Sequence, residues 1–262
     1  MSQDSPARPR TIAIIQARMS SSRLPGKVLM PIAGRPAILF MCERVRRARS
    51  IDRLCVATST DPSDDALAAC VAEAGTAVHR GSLDDVLDRF RTAAEAHRAE
   101  LAVRLTGDCP LVDPGLIDRV VALVAGSGFD YASNIDPPTY PDGLDVEAMT
   151  MAALAQAAAE AQLGSEREHV TLFIRNRPER FRAGLVSSPV DLSALRWTVD
   201  YADDLELVRR LVGGVDVDPL VADRYDFLRV YEALGLSGGA HARNEGLASS
   251  VARDAAGPDQ TV

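Results

Sequence analysis

The sequence of 262 residues predicts an α/β fold of three layers, in which helices cover both faces of a mostly parallel β-sheet. Short apolar runs typical of buried strands alternate with longer segments that have the amphipathic pattern of helices. Short loops rich in Gly, Pro, Ser and Asp join these segments. The length suits one large α/β domain or two small ones, and the content of 47% apolar residues allows a real core.

The first half of the chain carries the clearest pattern. Three apolar runs are predicted to be buried strands, at residues 11–17, 53–58 and 101–106. The predicted helices lie at residues 36–49, 64–74, 83–99 and 114–124. Pro36 suits a first helical turn, and Gly75 ends the second helix. Ligands of such sheets bind beyond the carboxyl ends of the strands, so the loops after Ala17 and after Thr106 are the candidate site.

The second half is less regular. Strands are predicted at residues 129–134, 143–149 and 195–200, and helices at residues 151–162, 166–176 and 202–212. Trp197 is expected in the core rather than as a stacking platform. We predict a flexible leader at residues 1–10, a folded domain at 11–235, and a disordered Gly-, Ala- and Ser-rich tail at 236–262.

Composition limits the partners. The net charge of −8 and the pI of 5.1 argue against a nucleic-acid binder that relies on a basic face. No apolar stretch reaches about 18 residues, so we expect no membrane span. The four cysteines, Cys42, Cys55, Cys70 and Cys109, lack C-x-x-C spacing and share no metal-ligand spacing with the histidines. A cytoplasmic protein with reduced cysteines and without zinc is expected.

The loop after the first strand contains Lys27, the single lysine among 29 Lys and Arg residues. No Asp or Glu occurs between Asp4 and Glu43, although the chain as a whole is acidic. Arg18, Arg23 and Lys27 therefore suggest an anion site. Hydroxyl groups and a flexible backbone support this interpretation, at Ser20, Ser21, Ser22 and Gly26. The alternative is that Lys27 is an accidental surface lysine. The loop is neither a Walker A motif nor a G-x-G-x-x-G fingerprint.

Two aspartates follow predicted strands at positions that a ligand can reach. Asp108 stands in TGDCP, and Asp200 ends LRWTVD. Carboxylates in such places can hold the Mg²⁺ that neutralises a triphosphate. The alternatives are that Asp108 forms a turn before Pro110 and that Asp200 caps the following helix.

Residues 17–29, ARMSSSRLPGKVL, resemble the signature A-R-x-G-S-x-R-L-P-G-K-x-L of the cytidylyltransferases that make CMP-activated sugar acids. This family includes the 3-deoxy-manno-octulosonate and acylneuraminate cytidylyltransferases, and the spore-coat polysaccharide branch is the most similar. The departure is Ser20, where the family usually has Gly. The segments VRLTGDCPLVDP, DYASN, PPTYPDGLDVE, REHVT and LRWTVDYADDLELV extend the resemblance over about residues 11–233.

The resemblance implies a Rossmann-like nucleotidyltransferase fold with an acceptor and dimerisation subregion at about residues 129–190. It implies CTP and a small acidic sugar as substrates, Mg²⁺ on Asp108 and Asp200, and a homodimer. Catalytic roles fall on Arg18, Lys27 and Asp108. Nucleotide binding falls on Ala17, Arg18, Ser20, Ser21, Ser22, Arg23, Gly26, Lys27, Arg80, Thr106, Gly107 and Asp108. Acceptor binding falls on Tyr131, Ser133, Asn134, Tyr140, Asp142, Asp145, Glu147, Glu168 and His169.

Several alternatives stay open from the residues alone. Arg80 is equally well read as a solvent-facing arginine. The acceptor can instead be a phosphonate or a sugar phosphate. A GT-A glycosyltransferase shares a layered fold and a metal, although that class usually carries D-x-D where this chain has Gly107, Asp108 and Cys109. A nucleotide-binding subunit without catalysis is the third alternative.

Overall fold

Seven strands form the central sheet of the computed structural model, which describes residues 9–236. In chain order the elements are β1 (Thr11–Gln16), β2 (Pro31–Ile32), β3 (Arg35–Pro36), α1 (Ala37–Val45), β4 (Arg53–Ser59), α2 (Asp65–Glu73), β5 (Ala77–Gly81), α3 (Val86–Ala96), β6 (Leu101–Thr106), α4 (Pro114–Ser127), β7 (Tyr131–Ser133), β8 (Glu147–Thr150), α5 (Met151–Glu160), α6 (Gly164–Glu168), α7 (Leu172–Arg175), β9 (Ala183–Leu185), α8 (Ala202–Gly214) and α9 (Arg224–Ala233). Short 3₁₀ helices cover Lys27–Leu29 and Pro62–Asp64.

The strand order is β5-β4-β1-β6-β8-β7-β9. Strands β5, β4, β1 and β6 are parallel, β8 is antiparallel to both β6 and β7, and β9 is parallel to β7. β2 and β3 form a separate antiparallel pair. In the register of the two central strands, Gln16 lies opposite Thr106, so the loops that follow β1 and β6 leave the sheet side by side. This arrangement confirms the predicted α/β fold with a mostly parallel sheet.

The sheet separates two parts of the hydrophobic core. Successive residues of β1 point to opposite faces, as the period of a strand requires. Ala13 and Ile15 belong to the core cluster that includes residues of α1, α4, α8 and α9. Ile12 and Ile14 belong to the cluster that includes residues of α3, α5 and α7. The loops at the carboxyl ends of β1 and β6 are therefore supported from both sides of the sheet.

Trp197 lies fully buried in the first cluster, with its ring centroid 6.3 Å from that of Phe227 in an edge-to-face arrangement. Arg44 of α1 is buried beside Phe227 and donates to the carbonyl oxygens of four residues, Leu111, Val112, Pro219 and Ala222. These hydrogen bonds attach the segment before α9 to the core. Trp197 thus has the core position that its sequence context predicts.

Two predicted elements are wrong. Residues 195–200 are not a strand; they form one isolated bridge, between Asp142 and Arg196, beside the loop before β8. The single helix predicted at residues 166–176 is two short helices, α6 and α7, with Val170 between them at a φ of 47°. A β-branched residue in this left-handed region does not continue a helix.

Four strands and one helix had no sequence prediction, namely β2, β3, β5, β9 and α9. Helix α3 begins three residues later than predicted, at Val86, and α1 ends at Val45 rather than at residue 49. Of the predicted leader, residues 1–8 lie outside the described residues, whereas the Arg10 carbonyl accepts hydrogen bonds from the Glu100 and Leu101 amides. The predicted tail lies outside them too, except for Leu236. Within residues 9–236, no helix combines the length and the apolar character needed to cross a membrane.

Candidate active site

A cavity of about 360 Å³ opens above the carboxyl ends of β1 and β6. Its walls come from the loop after β1, the start of α3, the end of β6, the turn after α6 and the segment before α8. The lining residues are Gln16, Ala17, Arg18, Ser21, Ser22, Arg23, Lys27, Val28, Val86, Arg89, Thr106, Gly107, Asp108, Glu168, His169 and Asp200. Most residues that the sequence assigns to nucleotide and metal binding therefore meet in one place.

The two strand ends approach each other closely at Gly107. Its amide donates to the Gln16 carbonyl at 2.9 Å, and a Cβ atom on Gly107 would lie 2.9 Å from that of Ala17. Any larger residue would push the two loops apart. Gly107 is required for this close approach.

The loop after β1 is folded around the backbone of Met19. The Met19 amide donates to the buried carboxylate of Asp64, and its carbonyl accepts from the amides of Ser21 and Gly26. Gly26 has a φ of 72°, a conformation that glycine adopts without strain, and it begins the 3₁₀ helix that contains Lys27. Gly26 and Ser20 do not line the cavity. Gly26 acts here through the backbone.

Lys27 is buried at the base of the cavity. Its ammonium donates to the carbonyl oxygen of Val199 at 2.7 Å, to Asp200 Oδ1 at 2.8 Å and to Asp108 Oδ2 at 3.3 Å. An accidental surface lysine is therefore the wrong interpretation. Burial opposes the charge of Lys27, but the two carboxylates outweigh it and raise the pKa of Lys27 above its ordinary value. Burial likewise opposes ionisation of Asp108, and the nearby ammonium lowers its pKa.

Asp200 contacts two further cations. Its Oδ1 lies 2.7 Å from Arg23 Nη2, and its Oδ2 accepts from Arg196 Nη2 at 2.8 Å. Arg196 also pairs with Asp142 at 3.2 Å and with Asp204 at 3.2 Å. The sequence did not single out Arg196, which is the residue that connects these three carboxylates.

The helix cap is not Asp200. Helix α8 has Tyr201 at its N-cap, and Asp204 accepts hydrogen bonds from the backbone amides of Asp200 and Tyr201. Asp204 thus satisfies the two amides just before the first turn, and the Asp200 carboxylate is left to line the cavity.

The two aspartates at the base are joined through the main chain. The Asp108 carbonyl accepts from the Val199 amide at 2.8 Å and from the Thr198 hydroxyl at 3.1 Å. Gly143 packs against the same segment, where a Cβ atom would lie 2.5 Å from the Thr198 nitrogen. The segment 198–200 is thereby fixed against the end of β6.

Of the expected acceptor residues, Glu168 and His169 line the cavity. Burial and nearby arginines lower the pKa of His169, against the attraction of Glu168 and Glu147, so its imidazole is neutral near pH 7. The turn that carries them is fixed by Thr171, whose hydroxyl donates to the buried Glu147. These two residues keep the predicted position at the cavity wall.

The other expected acceptor residues do not line this cavity. Glu147 is buried and is paired with Arg104, and it accepts a hydrogen bond of 2.5 Å from the Tyr131 hydroxyl. Asn134 is buried; its side-chain amide donates to the Leu144 carbonyl and accepts from the Val146 amide. Tyr140 is buried and donates to the Ser187 carbonyl. These side chains are committed to holding the framework around β7 and β8.

Three more members of that set also lie outside the lining. The Ser133 side chain is buried, and its hydroxyl accepts from the Ile135 amide. Asp142 is paired with Arg196. Burial raises the pKa of the Cys109 thiol well above its ordinary value, and the charges of Asp108 and Asp145 add to this effect. Asp142 and Asp145 are therefore near the site without lining the cavity.

Besides Arg18 and Arg23, the cavity is lined by Arg89, and not by Arg80 as the resemblance implies. Arg80 lies outside the lining, where it donates to the carbonyls of Ser59 and Asp61 and pairs with Asp65 at 2.7 Å. Arg89 is 4% exposed and donates to the Leu83 carbonyl at 3.3 Å and to the Ser82 carbonyl. Within residues 9–236 it forms no ion pair, and its Nε has no hydrogen-bond partner. Arg89 lies in α3 among both acidic and basic residues, so no sequence signal distinguished it.

Comparisons with known proteins point to one enzyme family. A family model described as cytidylyltransferase matches residues 12–209. The spore coat polysaccharide biosynthesis protein SpsF of Bacillus subtilis is 37% identical over 76% of this chain and 84% of its own length. A 3-deoxy-manno-octulosonate cytidylyltransferase of Anaeromyxobacter sp. (strain K) is 41% identical over 43% of this chain and 46% of its own length.

The fold comparison leads to the same conclusion. The structure of a cytidylyltransferase from Leptospira borgpetersenii superposes with a TM-score of 0.82 at 28% identity, and the match covers 87% of this chain and 95% of that one. The family match extends from β1 into α8 and includes every residue that lines the cavity. The chain therefore belongs to the cytidylyltransferase family of nucleotidyltransferase enzymes.

Proposed function

We propose that this enzyme transfers CMP from CTP to a hydroxyl of a sugar acid of the nonulosonate or octulosonate type, with Mg²⁺ and with release of pyrophosphate. The observation that carries this proposal is the pair of carboxylates, Asp108 and Asp200, in a cavity that Arg18, Arg23 and Lys27 also line. The two carboxylates suit a metal ion, and the three cations suit a triphosphate.

The residues present fit Mg²⁺ when a nucleotide supplies the remaining ligands. No group of three or more His, Cys, Asp or Glu side chains within residues 9–236 could hold a metal ion. Asp108 and Asp200 do come within hydrogen-bond distance of one common atom, Lys27 Nζ. Mg²⁺ is commonly held by one or two carboxylates together with substrate phosphates and water. When bound there, it would neutralise charge on the triphosphate.

The chain's own groups would mainly position the reactants. Arg18, Arg23 and the hydroxyls of Ser21 and Ser22 face the cavity and would bind phosphate oxygens. The acceptor hydroxyl would give up its proton to solvent and attack the α-phosphorus, the bond from that phosphorus to the oxygen that bridges it to the β-phosphate would break, and pyrophosphate would leave. Fixed cations around the leaving group stabilise the charge that develops there.

The acceptor would approach from the side of Glu168 and His169, because these two lining residues come from outside the loops proposed to bind the nucleotide and the metal. The neutral His169 imidazole can donate a hydrogen bond to a sugar hydroxyl or accept one from it. The relatives support an acidic sugar, since one is named a 3-deoxy-manno-octulosonate cytidylyltransferase and another a spore coat polysaccharide biosynthesis protein. A homodimer and a cytoplasmic location are part of the same proposal.

The test is incubation of the purified enzyme with CTP, Mg²⁺ and a panel of sugar acids, with pyrophosphate release and mass spectrometry of CMP adducts as readouts. The expected result is one dominant CMP adduct and an equal amount of pyrophosphate. Asp108→Asn and Asp200→Asn should give no adduct while keeping the folded circular dichroism spectrum. Adducts formed only from phosphonates or sugar phosphates would overturn the sugar-acid assignment. Use of an intact nucleotide sugar without pyrophosphate release would overturn nucleotidyl transfer.

A further inference from the structure

All three donors of the Lys27 ammonium are already used within the protein. An ammonium group has three N–H donors and no acceptor. Here they are directed to Val199, Asp200 and Asp108, at 2.7, 2.8 and 3.3 Å. The side chain is 10% exposed. In this arrangement no donor of Lys27 is left for a phosphate, so phosphate binding by Lys27 requires the ammonium to leave these partners.

The ammonium occupies the position that a cation shared by Asp108 and Asp200 would need. Any such cation competes with Lys27 for Asp108 Oδ2 and Asp200 Oδ1. Two positive charges at contact distance from the same oxygens also repel each other strongly in a partly buried site. Metal and ammonium therefore exclude one another at this pair of carboxylates.

The two carboxylates differ in what they lose when Lys27 leaves. Asp200 keeps Arg23 at 2.7 Å and Arg196 at 2.8 Å. Lys27 is the only ion-pair partner of Asp108 among residues 9–236. Asp108 is 31% exposed and points to the cavity, so it is the carboxylate that most needs a replacement cation.

The lysine stem can move without moving the backbone. Four methylene groups separate the charge from Cα, and a compact ammonium can turn from one set of acceptors to another. The cavity in front of Lys27 is lined by Arg18, Ser21, Ser22 and Arg23, where the phosphates are proposed to bind. A triphosphate placed there offers new acceptors to the ammonium, in exchange for the carboxylates that it gives up.

We propose that Lys27 holds the place of the metal ion in the nucleotide-free enzyme, so that metal binds only together with a nucleoside triphosphate, whose phosphates take over the ammonium. This inference rests on the proposed metal-dependent nucleotidyl transfer. Besides binding phosphate, Lys27 would then keep Asp108 and Asp200 in ion pairs with its ammonium, so that metal ions from solvent do not bind them before the nucleotide does.

The test measures Mn²⁺ binding to the protein by electron paramagnetic resonance of the free ion, without any acceptor and without turnover. Wild-type protein alone should bind Mn²⁺ weakly, and addition of the non-reactive α,β-methylene analogue of CTP should raise the affinity beyond that of the analogue itself. Lys27→Met removes the competing charge and keeps an unbranched side chain. It should bind Mn²⁺ without nucleotide at least about tenfold more tightly than wild type.

Two further variants separate this effect from a change in net charge. Arg23→Met removes a positive charge from the same cavity but leaves Lys27 in place, so its gain in Mn²⁺ affinity should be clearly smaller than that of Lys27→Met. Lys27→Met combined with Asp108→Asn should lose the gain. The proposal is overturned if folded Lys27→Met binds Mn²⁺ no better than wild type, or if wild type binds Mn²⁺ equally well with and without the analogue. If Lys27→Met fails to fold, the wild-type comparison alone decides. Absence of CMP transfer to every acceptor would instead count against the proposed function.

Discussion

Arg196 and Asp200, four residues apart, are joined by an N–H···O hydrogen bond of 2.8 Å between two buried side chains. The same nitrogen contacts Asp204, and the other terminal nitrogen contacts Asp142. Arg196 thus holds Oδ2 of the Asp200 carboxylate, while Arg23 and Lys27 contact Oδ1. The bond belongs to the chain's interior framework rather than to the ligand-facing surface, because Arg196 does not line the cavity.

Arg196→Met should lower both stability and turnover. Removing one partner of a buried ion pair leaves uncompensated charge and typically costs about 3–5 kcal/mol. Arg196→Lys keeps the charge but not the planar fork that spans Asp142 and Asp200, so it should recover only part of the loss. Chemical denaturation and pyrophosphate release measure the two effects. Wild-type stability in Arg196→Met would contradict this role.

Lys27→Arg should bind CTP almost normally and lose rate in the chemical step. A guanidinium is larger than the ammonium that fits between Asp108, Val199 and Asp200, and it binds phosphates in a fixed pose. Loss of one positioned charge costs about 10²- to 10³-fold in rate, by analogy with an oxyanion donor. Single-turnover kinetics at saturating CTP measure it. Lys27→Ala should weaken CTP binding as well, and an unchanged rate in Lys27→Arg would show that any cation suffices.

Arg89→Gln should raise the KM for CTP more than Arg80→Gln does. Arg89 lies at the cavity wall without an ion-pair partner among residues 9–236, whereas Arg80 is engaged outside it by Asp65. The two variants remove the same charge from neighbouring elements and so form a matched pair. Equal KM values in the two variants would mean that Arg89 contributes no more to CTP binding than Arg80 does.

The wild-type enzyme should also use CTP well ahead of ATP and GTP. Equal use of a purine triphosphate would contradict the choice of cytosine.

Glu147→Gln should destabilise the protein in a manner that depends on pH. Burial opposes ionisation of Glu147, but Arg104 and Arg175 and two hydroxyl donors outweigh it and lower its pKa below the ordinary 4.5. The Glu147 carboxyl group therefore binds a proton less tightly in the folded protein than in the unfolded chain. The ionised carboxylate contributes its full stabilisation of the folded state above pH 4.5. This stabilisation is lost as pH falls through the lower pKa of the folded state.

Denaturant unfolding of wild type and Glu147→Gln from pH 7 downward measures this difference. The free energies of unfolding should differ most near neutrality and should converge as the solution becomes acidic. Thr171→Val is a suitable control, because it removes a hydroxyl donor to Glu147 while the carboxylate stays. A difference that is constant from pH 7 to pH 3 would show that the charge of Glu147 contributes nothing.

The elements with strong periodicity were predictable from the sequence. The apolar run of β6 was predicted to the residue, and β1 and β4 within one residue of their ends. Residues 195–200 have the same β-like composition but form no strand, because hydrogen bonds to the Asp108 carbonyl and Asp142 use their backbone instead. Local sequence cannot report which distant backbone a segment will meet.

The site was predictable where charge and position coincide. The acid-free loop and the two aspartates after strands pointed to Arg18, Arg23, Lys27, Asp108 and Asp200, all of which line one cavity. The residues chosen by motif alone divide into two groups. Glu168 and His169 line that cavity, whereas Tyr131, Asn134 and Glu147 contact each other or the backbone in the interior. A polar side chain on a short strand has two faces available, and the sequence does not say which one is the inner face.

The main-chain bond between Asp108 and Val199 has a consequence for how this enzyme can diversify. The separation of the two carboxylates depends on contacts to the Asp108 carbonyl, from the Val199 amide and the Thr198 hydroxyl, and not on Glu168 or His169. Under the proposed function, side chains at the acceptor wall could therefore be exchanged, in evolution or in the laboratory, while the carboxylate spacing is inherited unchanged. A library of changes at positions 168 and 169 is then the natural starting point for altering the proposed acceptor choice.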